Sequence, residues 1–476
     1  MVNLEIPELS LVVLVGPSGC GKSTFAARHF RPGEVLESDA FRTMVADDPG
    51  DMEATADAFE VLHLVAAKRL AAGRLTVVDA TNVQPQARGP LVELARRYHC
   101  VPVAIVFDLP EGICQQWNRQ RDRMVPRRAV HGQAEHLRRS LGRLQREGFR
   151  IVHVLRSPEA IDGAVVTRQR MPVDRRDLHG PFDVVGDVHG CLEELLALLA
   201  KLGWEVTEGP DGGARRGSGE GGAPASRRVR HPQGRMAVFL GDLVDRGPDT
   251  PGVLRLVMDM VADGTALCVA GNHERKLLRA LRGQKARIGH GLAESLRQLE
   301  AEPPGFVERL SAFLDGLVSH LVLDGGRLVV AHAGLREELQ GRVSRGVRDF
   351  ALYGETTGET DEYGLPVRYD WARAYRGRAM VVYGHTPVLD PEWVNRTICV
   401  DTGCVFGGKL TALRYPEGTL ASVPATRVHY QPARPLGGPS TQPPKGGEDP
   451  RSRDRPAVSG SSRRRRRSPG RWGCRS

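Results

Sequence analysis

Short apolar runs alternate with amphipathic stretches along the first 170 residues of the chain. Five of these runs have the length and β-branched content of buried strands: 11–15, 34–37, 75–79, 101–107 and 151–155. Helical patterns at 57–72 and 92–98 separate some of them, and residues 111–148 predict a long, basic, broken helical region that forms a lid. Strands that alternate with helices are typical of an α/β domain with a parallel sheet.

A second set of apolar runs occurs further along the chain, and each run ends at a polar, glycine-containing block. They lie at 182–185, 237–240, 266–270, 328–331 and 380–383. Because the carboxyl ends of parallel strands meet at one edge of a sheet, the blocks are expected to lie close together. This pattern predicts a second α/β domain with one composite site.

Composition shifts suggest the domain boundaries. At 476 residues the chain is long enough for two or three domains. Arginine and proline mark residues 169–181 as a linker between domains at 1–168 and 182–430. Glycine and arginine predict a disordered insertion at about 208–233, and residues 431–476 predict a disordered basic tail.

The net charge of +10 does not by itself indicate nucleic-acid binding by the folded part. The last 43 residues carry 12 of the 67 basic and 3 of the 57 acidic residues, which leaves 55 basic and 54 acidic residues elsewhere. The eight cysteines have no framework spacing, and no apolar run has the length of a transmembrane helix. A cytoplasmic protein with reduced thiols and no membrane association is therefore expected.

The segment Gly-Pro-Ser-Gly-Cys-Gly-Lys-Ser at 16–23 matches a P-loop between a predicted strand and a predicted helix. Its backbone N–H groups wrap phosphates, its lysine reaches the β- and γ-phosphates, and its hydroxyl binds Mg²⁺. The alternative is a structural glycine loop. The predicted nucleotide-binding residues are Gly16, Ser18, Gly19, Cys20, Gly21, Lys22, Ser23 and Thr24.

Residues after the next predicted strands are candidates for handling the phosphate acceptor. Asp39 can act as a general base and Arg42 can bind a phosphate of the acceptor, although Asp39 could equally be a helix N-cap. Arg119 and Arg123 stand four apart on a predicted helical face, where they could neutralise the transferring phosphoryl group or simply form a solvated basic face. Asp79 is either a partner of Mg²⁺ or a cap.

The glycine-containing blocks of the second half supply the ligands of a two-metal phosphoesterase. Such a centre needs a bridging carboxylate with His, Asp and Asn ligands at strand ends. The predicted metal ligands are Asp187, His189, Asp242, Asn272, His332 and His385, with Asp242 as the bridge. His273 is placed to protonate the leaving oxygen, Asp245 to orient it, and Arg246 to clamp the phosphate. Asp401 is either an additional site residue or a turn residue.

This set of motifs resembles the calcineurin-like metallophosphoesterases, and the fusion to an N-terminal P-loop kinase resembles the bacterial polynucleotide kinase-phosphatases of RNA repair. The resemblance covers residues 9–430. It implies a P-loop kinase with a parallel sheet followed by an α/β-sandwich metallophosphoesterase. It also implies ATP and Mg²⁺ at Lys22 and Ser23, Asp39 as the base, Arg42 as the acceptor ligand and Arg123 as a lid residue.

By the same resemblance, the phosphatase uses two Mn²⁺ or similar divalent transition metals. The implied substrates are RNA ends, with DNA as the alternative polymer: a 5′-OH for the kinase, and a 2′,3′-cyclic, 2′- or 3′-phosphate for the phosphatase. Fuller family members continue into a ligase domain with a Lys-x-Asp-Gly motif, which this sequence lacks. A separate ligase is therefore expected as a partner, and a homodimer is compatible with the prediction.

Two other functions share these motifs. One is a metabolite kinase fused to a dinucleoside-tetraphosphate hydrolase, which would not depend on a polymeric substrate. The other is an ATP-binding regulator that acts as a protein Ser/Thr phosphatase. The Asp39 and Arg42 pair and the domain order favour end healing over both.

Overall fold

The computed structural model describes residues 2–121, 123–208, 227–286, 288–434, 436 and 441–442. Residues 209–226 of the predicted insertion and 443–476 of the predicted tail lie outside the described residues. Among the helices of the described ranges, none combines the length and apolarity required to cross a membrane.

The N-terminal domain is built on a parallel sheet with strand order β3-β4-β2-β5-β6, as the sequence predicts. Its strands are β1 (Val2–Pro7), β2 (Ser10–Val15), β3 (Val35–Glu37), β4 (Thr76–Asp79), β5 (Val101–Phe107), β6 (Ile151–Leu155) and β7 (Ala164–Gln169). Its helices are α1 (Lys22–His29), α2 (Ser38–Ala46), α3 (Thr55–Ala71), α4 (Pro85–Arg97), α5 (Glu111–Asn118), α6 (Arg127–Ser140), α7 (Leu144–Glu147) and α8 (Pro158–Asp162).

The central strand β2 is buried along its whole length because helices cover both faces of the sheet. Leu11, Val13 and Val15 pack on one side with residues of α3 and α4, whereas Val12 and Leu14 pack on the other side with α1. Alternate residues of a strand point to opposite faces, so this strand has no polar face. Its position in the middle of the sheet places the loop after Val15 at the carboxyl edge.

The C-terminal domain follows with two larger sheets and flanking helices. Its strands are β8 (Asp174–Arg175), β9 (Phe182–Val185), β10 (Glu205–Glu208), β11 (Arg227–Arg230), β12 (Met236–Phe239), β13 (Ala266–Cys268), β14 (His320–Leu323), β15 (Leu328–Ala331), β16 (Thr356–Thr360), β17 (Pro366–Tyr369), β18 (Met380–Tyr383), β19 (Trp393–Val394), β20 (Thr397–Cys399), β21 (Lys409–Tyr415), β22 (Thr419–Pro424) and β23 (Thr441–Gln442). Its helices are α9 (Leu192–Leu202), α10 (Thr250–Ala262), α11 (Asn272–Leu281), α12 (Leu292–Glu300), α13 (Pro304–Gly316), α14 (Arg345–Tyr353) and α15 (Trp371–Ala374).

The two large sheets pack face to face as a sandwich. One has the order β13-β12-β9-β21-β22, and the other has the order β19-β20-β18-β15-β14-β8. Val184 and Val238 of the first sheet share one buried cluster with Leu328, Val330 and Val382 of the second. Helices α9–α13 cover the outer face of the first sheet, whereas α14 and α15 cover that of the second. This is an α/β sandwich, as expected.

Two stretches with predicted irregular structure contain short strands. Within 169–181, the predicted linker, β8 pairs with β14, so this stretch already contributes to a sheet of the second domain. Within 208–233, the predicted insertion, residues 227–230 form β11, which pairs with β10 as an antiparallel hairpin.

A buried arginine of the second domain joins the two domains. Arg342 donates to the carbonyl oxygens of Leu70 (3.0 Å), Ala71 (2.9 Å) and Tyr98 (2.5 Å), which end helices α3 and α4. A cation suits this position because the last carbonyls of a helix lack partners within the helix and carry partial negative charge.

Candidate active sites

The first candidate site surrounds the P-loop. Gly19 and Gly21 have φ angles of 80° and 88°, a region that glycine adopts without steric cost. A Cβ at Gly19 would lie 2.4 Å from the carbonyl oxygen of Cys114, so a larger residue does not fit. The loop therefore turns sharply into α1 and directs the N-terminus of this helix at a cavity of about 410 Å³.

The predicted nucleotide-binding residues are grouped at this cavity. Gly19, Gly21, Lys22, Ser23 and Thr24 line it directly. Gly16 and Cys20 lie behind them, where a Cβ on Gly16 would lie 2.7 Å from the Cys20 sulfur. The N–H of Ser18 donates to Oε1 of Gln133 at 2.7 Å, and Lys22 Nζ donates to the carbonyl oxygens of Gly16 and Pro17 at 2.9 and 2.8 Å.

Asp79 ends β4 next to the P-loop strand and is buried. Burial raises its pKa, while Lys22 and a hydrogen bond from Ser23 act in the opposite direction. Its Oδ2 atom is buried without a hydrogen-bond partner. A buried carboxylate beside a P-loop hydroxyl can bind a divalent cation at the phosphates. This agrees with the first of the two alternatives for Asp79, a partner of Mg²⁺.

The candidate acceptor residues lie together at the start of α2. Asp39 Oδ1 accepts from Arg42 at 2.5 Å, and its Oδ2 accepts from Arg123 at 3.1 Å. Asp39 does not cap the helix, because the N-cap is Glu37 and no side chain accepts from the first turn. Arg42 also donates to the Pro49 carbonyl oxygen at 3.0 Å. The site thus combines a carboxylate with two guanidinium groups.

The helical face predicted for Arg119 and Arg123 does not exist. Helix α5 ends at Asn118, so a spacing of four residues no longer places the two side chains together. Arg119 is exposed, whereas Arg121 lines the cavity and acts electrostatically on Asp79. Arg121 was missed because the sequence gives no signal for the early end of the helix.

The second candidate site lies where the carboxyl ends of strands from both sheets of the sandwich meet. Asp187 and His189 follow β9, Asp242 follows β12, and Asn272 begins α11 after β13. From the other sheet come His332 after β15 and His385 after β18.

Two groups of possible ligands converge at this edge and share Asp242. One contains His189, Asp242 and His273, and the other contains Asp242, His332 and His385, with ligand atoms within 4.8 Å of one another in each group. Asn272 Oδ1 lies 2.9 Å from Nε2 of His332, which adds it to the second group. Asp242, the residue that the sequence predicts as the bridge, is the member that both groups share.

The first group differs from the predicted ligand set, because it contains His273 in place of Asp187. Asp187 is nevertheless suited to a cation: its Oδ1 is buried without a hydrogen-bond partner, and its Oδ2 accepts from the N–H of His385 at 3.1 Å. Burial and the neighbouring carboxylates of Asp401 and Asp242 raise its pKa well above the usual range. A carboxylate in this position needs a cation to remain ionised.

The imidazoles are held in orientations that suit metal ligands. Nδ1 of His332 lies 3.1 Å from the Leu240 carbonyl oxygen, and Nδ1 of His189 lies 2.7 Å from that of Val244. These contacts place the proton on Nδ1, so that the unprotonated Nε2, which faces the other site residues, can bind a metal. Burial lowers the pKa of His332 to about 3, so this imidazole is in the neutral form that a metal requires.

His273 and Asp245 form a buried pair with Nδ1 and Oδ2 separated by 2.6 Å. Asp245 is fixed further by the Ser295 hydroxyl at 2.7 Å, and burial raises its pKa to about 6. This arrangement orients the imidazole, as the predicted acid role requires. Arg246 Nη1 lies 2.7 Å from Nε2 of His189, at the same centre.

Several site residues have backbone conformations that are unusual for residues with side chains. Positive φ angles occur at His189 (46°), Asp242 (46°), Asp245 (72°), Arg246 (73°) and His385 (74°). Each such residue costs about 1–3 kcal/mol, and it persists only where its surroundings determine the conformation. The loops therefore aim these side chains at one point at the expense of local stability.

Three further residues lie at this centre: two were not predicted as site residues, and Asp401 was predicted with a turn as the alternative. Glu274 accepts from the N–H groups of Asp242 and Leu243, both at 2.7 Å, and its place in the Gly-Asn-His-Glu block was the available signal. Asp401 is buried beside Asp187, which favours the site role over a turn. Arg368 on β17 lies 2.9 Å from His385 Nε2, and no motif identifies it.

Arg368 also lines a cavity of about 200 Å³ beside His385, together with Tyr369, Trp371 and Tyr383. Aromatic side chains next to a guanidinium provide surfaces for stacking and a cation for a phosphate.

Comparisons with known proteins agree with this division into two domains. The AAA domain family matches residues 11–146, and the calcineurin-like phosphoesterase family matches residues 180–403. The bis(5′-nucleosyl)-tetraphosphatase PrpE of Geobacillus thermodenitrificans is 44% identical over 252 residues, which are 52% of this chain and 96% of that protein. PrpE of Bacillus subtilis is 43% identical over 249 residues, 52% of this chain and 95% of that protein.

Among solved structures, a protein serine/threonine phosphatase of Saccharomyces cerevisiae is 14% identical, covering 53% of this chain and 82% of its own, with a TM-score of 0.36.

Proposed function

The chain belongs to the calcineurin-like phosphoesterases and carries a kinase-like P-loop domain ahead of the phosphoesterase domain; from this combination we propose that it heals broken polynucleotide ends. The kinase transfers the γ-phosphate of ATP to a 5′-OH with the help of Mg²⁺. The phosphoesterase removes 2′,3′-cyclic, 2′- or 3′-phosphate with two Mn²⁺ or similar ions. RNA is the preferred polymer, DNA is the alternative, and a separate ligase seals the ends.

The observation that carries this proposal is the Asp39–Arg42–Arg123 cluster. Asp39 accepts from both arginines and acts electrostatically on Asp79, which itself interacts with Lys22 of the P-loop. A carboxylate near the γ-phosphate position can take the proton of a hydroxyl, and guanidinium groups beside it can bind a phosphate. The acceptor that fits is a hydroxyl with a phosphodiester close to it, which is the 5′ end of a polynucleotide.

In the kinase step Asp39 takes the proton of the 5′-OH, whose oxygen attacks the γ-phosphorus in line; the bond to the β,γ-bridging oxygen breaks and ADP leaves. Lys22, Arg121 and Arg123 balance the negative charge that spreads over the phosphoryl oxygens. Ser23 and Asp79 would hold Mg²⁺ at the phosphates.

In the phosphoesterase, Asp187, His189, Asp242, Asn272, His332 and His385 would hold the two metals. When bound, the metals polarise the phosphate and activate a water molecule. Arg246 and Arg368 orient the phosphate, and His273 donates a proton to the leaving sugar oxygen. Asp245 keeps His273 in the required orientation through its contact with Nδ1.

The test is phosphate transfer from γ-labelled ATP to a 5′-OH RNA oligonucleotide, beside a 3′-mononucleotide acceptor and a Lys22→Ala variant. We expect label on the oligonucleotide with the unaltered chain and none with Lys22→Ala. The absence of label on any polynucleotide, with folded protein that binds ATP, would reject the kinase half of the proposal.

A second candidate, asymmetrical hydrolysis of dinucleoside tetraphosphates, is favoured by the 44% identity to a bis(5′-nucleosyl)-tetraphosphatase. The cavity beside His385 offers aromatic surfaces for a base and Arg368 for a phosphate. The experiment compares hydrolysis of diadenosine tetraphosphate with dephosphorylation of a 3′-phosphorylated RNA, using Arg368→Ala and Arg368→Lys. A much larger kcat/KM for the dinucleotide, lost in Arg368→Ala, would favour this candidate over end healing.

A further inference from the structure

Three side chains with metal-ligating groups converge near the phosphoesterase centre: Cys191, Glu194 and His429. The ligand atoms of Cys191, Glu194 and His429 lie within 4.8 Å of one another. The thiol of Cys404 contacts that of Cys191 and also interacts with Glu194. We propose that this cluster, the Cys191–His429 site, binds a Zn²⁺ ion separate from those of the phosphoesterase centre.

The burial of the cluster is that of an enclosed site. Cys191 and Cys404 are 0% and 1% exposed, and the side chains of Glu194 and His429 are 1% and 5% exposed. Exposed groups of this kind are common without a metal, whereas these three are buried or nearly so and come from distant segments. The segments are the start of α9 and the stretch after β22.

The hydrogen bonds of Glu194 leave one ligand atom free. Its Oε1 accepts from Thr426 N–H at 3.0 Å, from the Thr426 hydroxyl at 2.9 Å and from His429 Nε2 at 2.9 Å. Its Oε2 is buried with no hydrogen-bond partner. An unpartnered buried carboxylate oxygen destabilises the fold, and a bound cation would give it a partner.

The chemistry of the three groups points to Zn²⁺. A thiolate, an imidazole and a carboxylate are all zinc ligands, and a sulfur ligand disfavours Mg²⁺, Ca²⁺ and Mn²⁺.

The position of the site suggests its role. Cys191 lies two residues after the predicted ligand His189. A Zn²⁺ ion there would connect this loop of the phosphoesterase centre to the segment around His429. It would act as a structural tie that contacts no substrate.

Cobalt spectroscopy separates this site from the phosphoesterase centre. The ligands proposed for that centre are oxygen and nitrogen, so only the Cys191–His429 site gives a thiolate-to-Co²⁺ charge-transfer band when the metal-free full chain is titrated with Co²⁺. We expect the band in the unaltered chain and in the matched control Cys268→Ser, a buried cysteine of the same domain outside the cluster. Cys191→Ser should lose it.

Metal content gives a second measurement that does not depend on cobalt. After loading with Zn²⁺ and gel filtration, Cys191→Ser and His429→Gln should each retain one metal ion per chain fewer than Cys268→Ser. Circular dichroism identifies variants that fail to fold. If Cys191→Ser does not fold, His429→Gln takes its place in both measurements. A chain without the charge-transfer band, or with equal metal content in all folded variants, would show an ion pair without a metal and overturn the proposal.

Discussion

Replacing His273 by alanine tests whether this residue supplies a proton to the leaving group or binds a metal. The structure allows both functions, because His273 lies in the ligand group of Asp242 and also contacts Asp245 at 2.6 Å. The two functions make different predictions for substrates with different leaving groups. An aryl oxide leaves readily without a proton, whereas a ribose oxygen does not.

The expected loss follows from the size of general acid catalysis. Removing a positioned proton donor lowers the rate by about 10²–10⁴-fold, which corresponds to roughly 3–5 kcal/mol of transition-state stabilisation. The contact with Asp245, buried and fixed by Ser295, indicates an imidazole that is already oriented for this step. We therefore expect the full loss with a 3′-phosphorylated RNA and less than a tenfold loss with p-nitrophenyl phosphate.

The assay measures kcat/KM of His273→Ala and Asp245→Asn on both substrates, with metal content determined on the same preparations. Asp245→Asn should show the same dependence on the leaving group with a smaller loss, because the imidazole remains but is less well oriented. An equal loss on both substrates, accompanied by a missing metal ion, would refute the proton-donor assignment and identify His273 as a ligand.

Three further results are expected. Asp39→Ala should abolish 5′-phosphorylation and keep phosphatase activity, whereas Asp187→Ala should do the reverse; loss of both activities in either folded variant contradicts two independent sites. Arg342→Ala should lower the free energy of unfolding, measured in a urea titration, by roughly 2–4 kcal/mol, because three helix-terminal carbonyls lose a buried charged donor. Arg342→Lys replaces the two donating guanidinium nitrogens by one ammonium group, so it should recover only part of the lost stability. Burial raises the pKa of Glu34, but two hydrogen bonds from Arg168 at 2.8 and 2.7 Å outweigh this effect and hold the pKa below the usual 4.5. The pair therefore stabilises the fold above about pH 4.5, and this stabilisation is lost as the pH falls further. The stability of Glu34→Gln should depend less steeply on acid pH, and an unchanged slope would contradict this assignment.

The fold class could be predicted because both domains are built on strands that are buried on both faces. Such strands appear in the sequence as continuous apolar runs, and the predicted runs at 75–79 and 328–331 differ from β4 and β15 by at most one residue. Strand β1 was not predicted, although Val2, Leu4 and Ile6 alternate with polar residues as in a half-buried strand. Its pairing has no local signal, because the parallel partner β7 lies about 160 residues further along the chain.

The candidate residues of the phosphoesterase were readable for a related reason. Each follows directly after an apolar strand, and parallel strands of one sheet end at a common edge, which predicts that Asp187, Asp242 and Asn272 lie close together. His332 and His385 follow strands of the second sheet, and the packing of the two sheets brings them to the same centre. The P-loop is likewise a local motif, since its glycines and lysine act within eight residues. Because these features are local, the sequence alone predicts a kinase-like domain and a metallophosphoesterase.

The tertiary structure alone decided the features that depend on where a helix ends or how distant segments meet. Because helix α5 ends at Asn118, Arg121 rather than Arg119 lines the cavity beside the P-loop. Arg368 reaches His385 only because β17 folds back over the centre. The Cys191–His429 site joins segments more than 200 residues apart. A local sequence pattern indicates whether a segment is buried and whether its apolar residues repeat as in a helix or a strand. It does not indicate which distant side chain the segment contacts, because that contact depends on both segments.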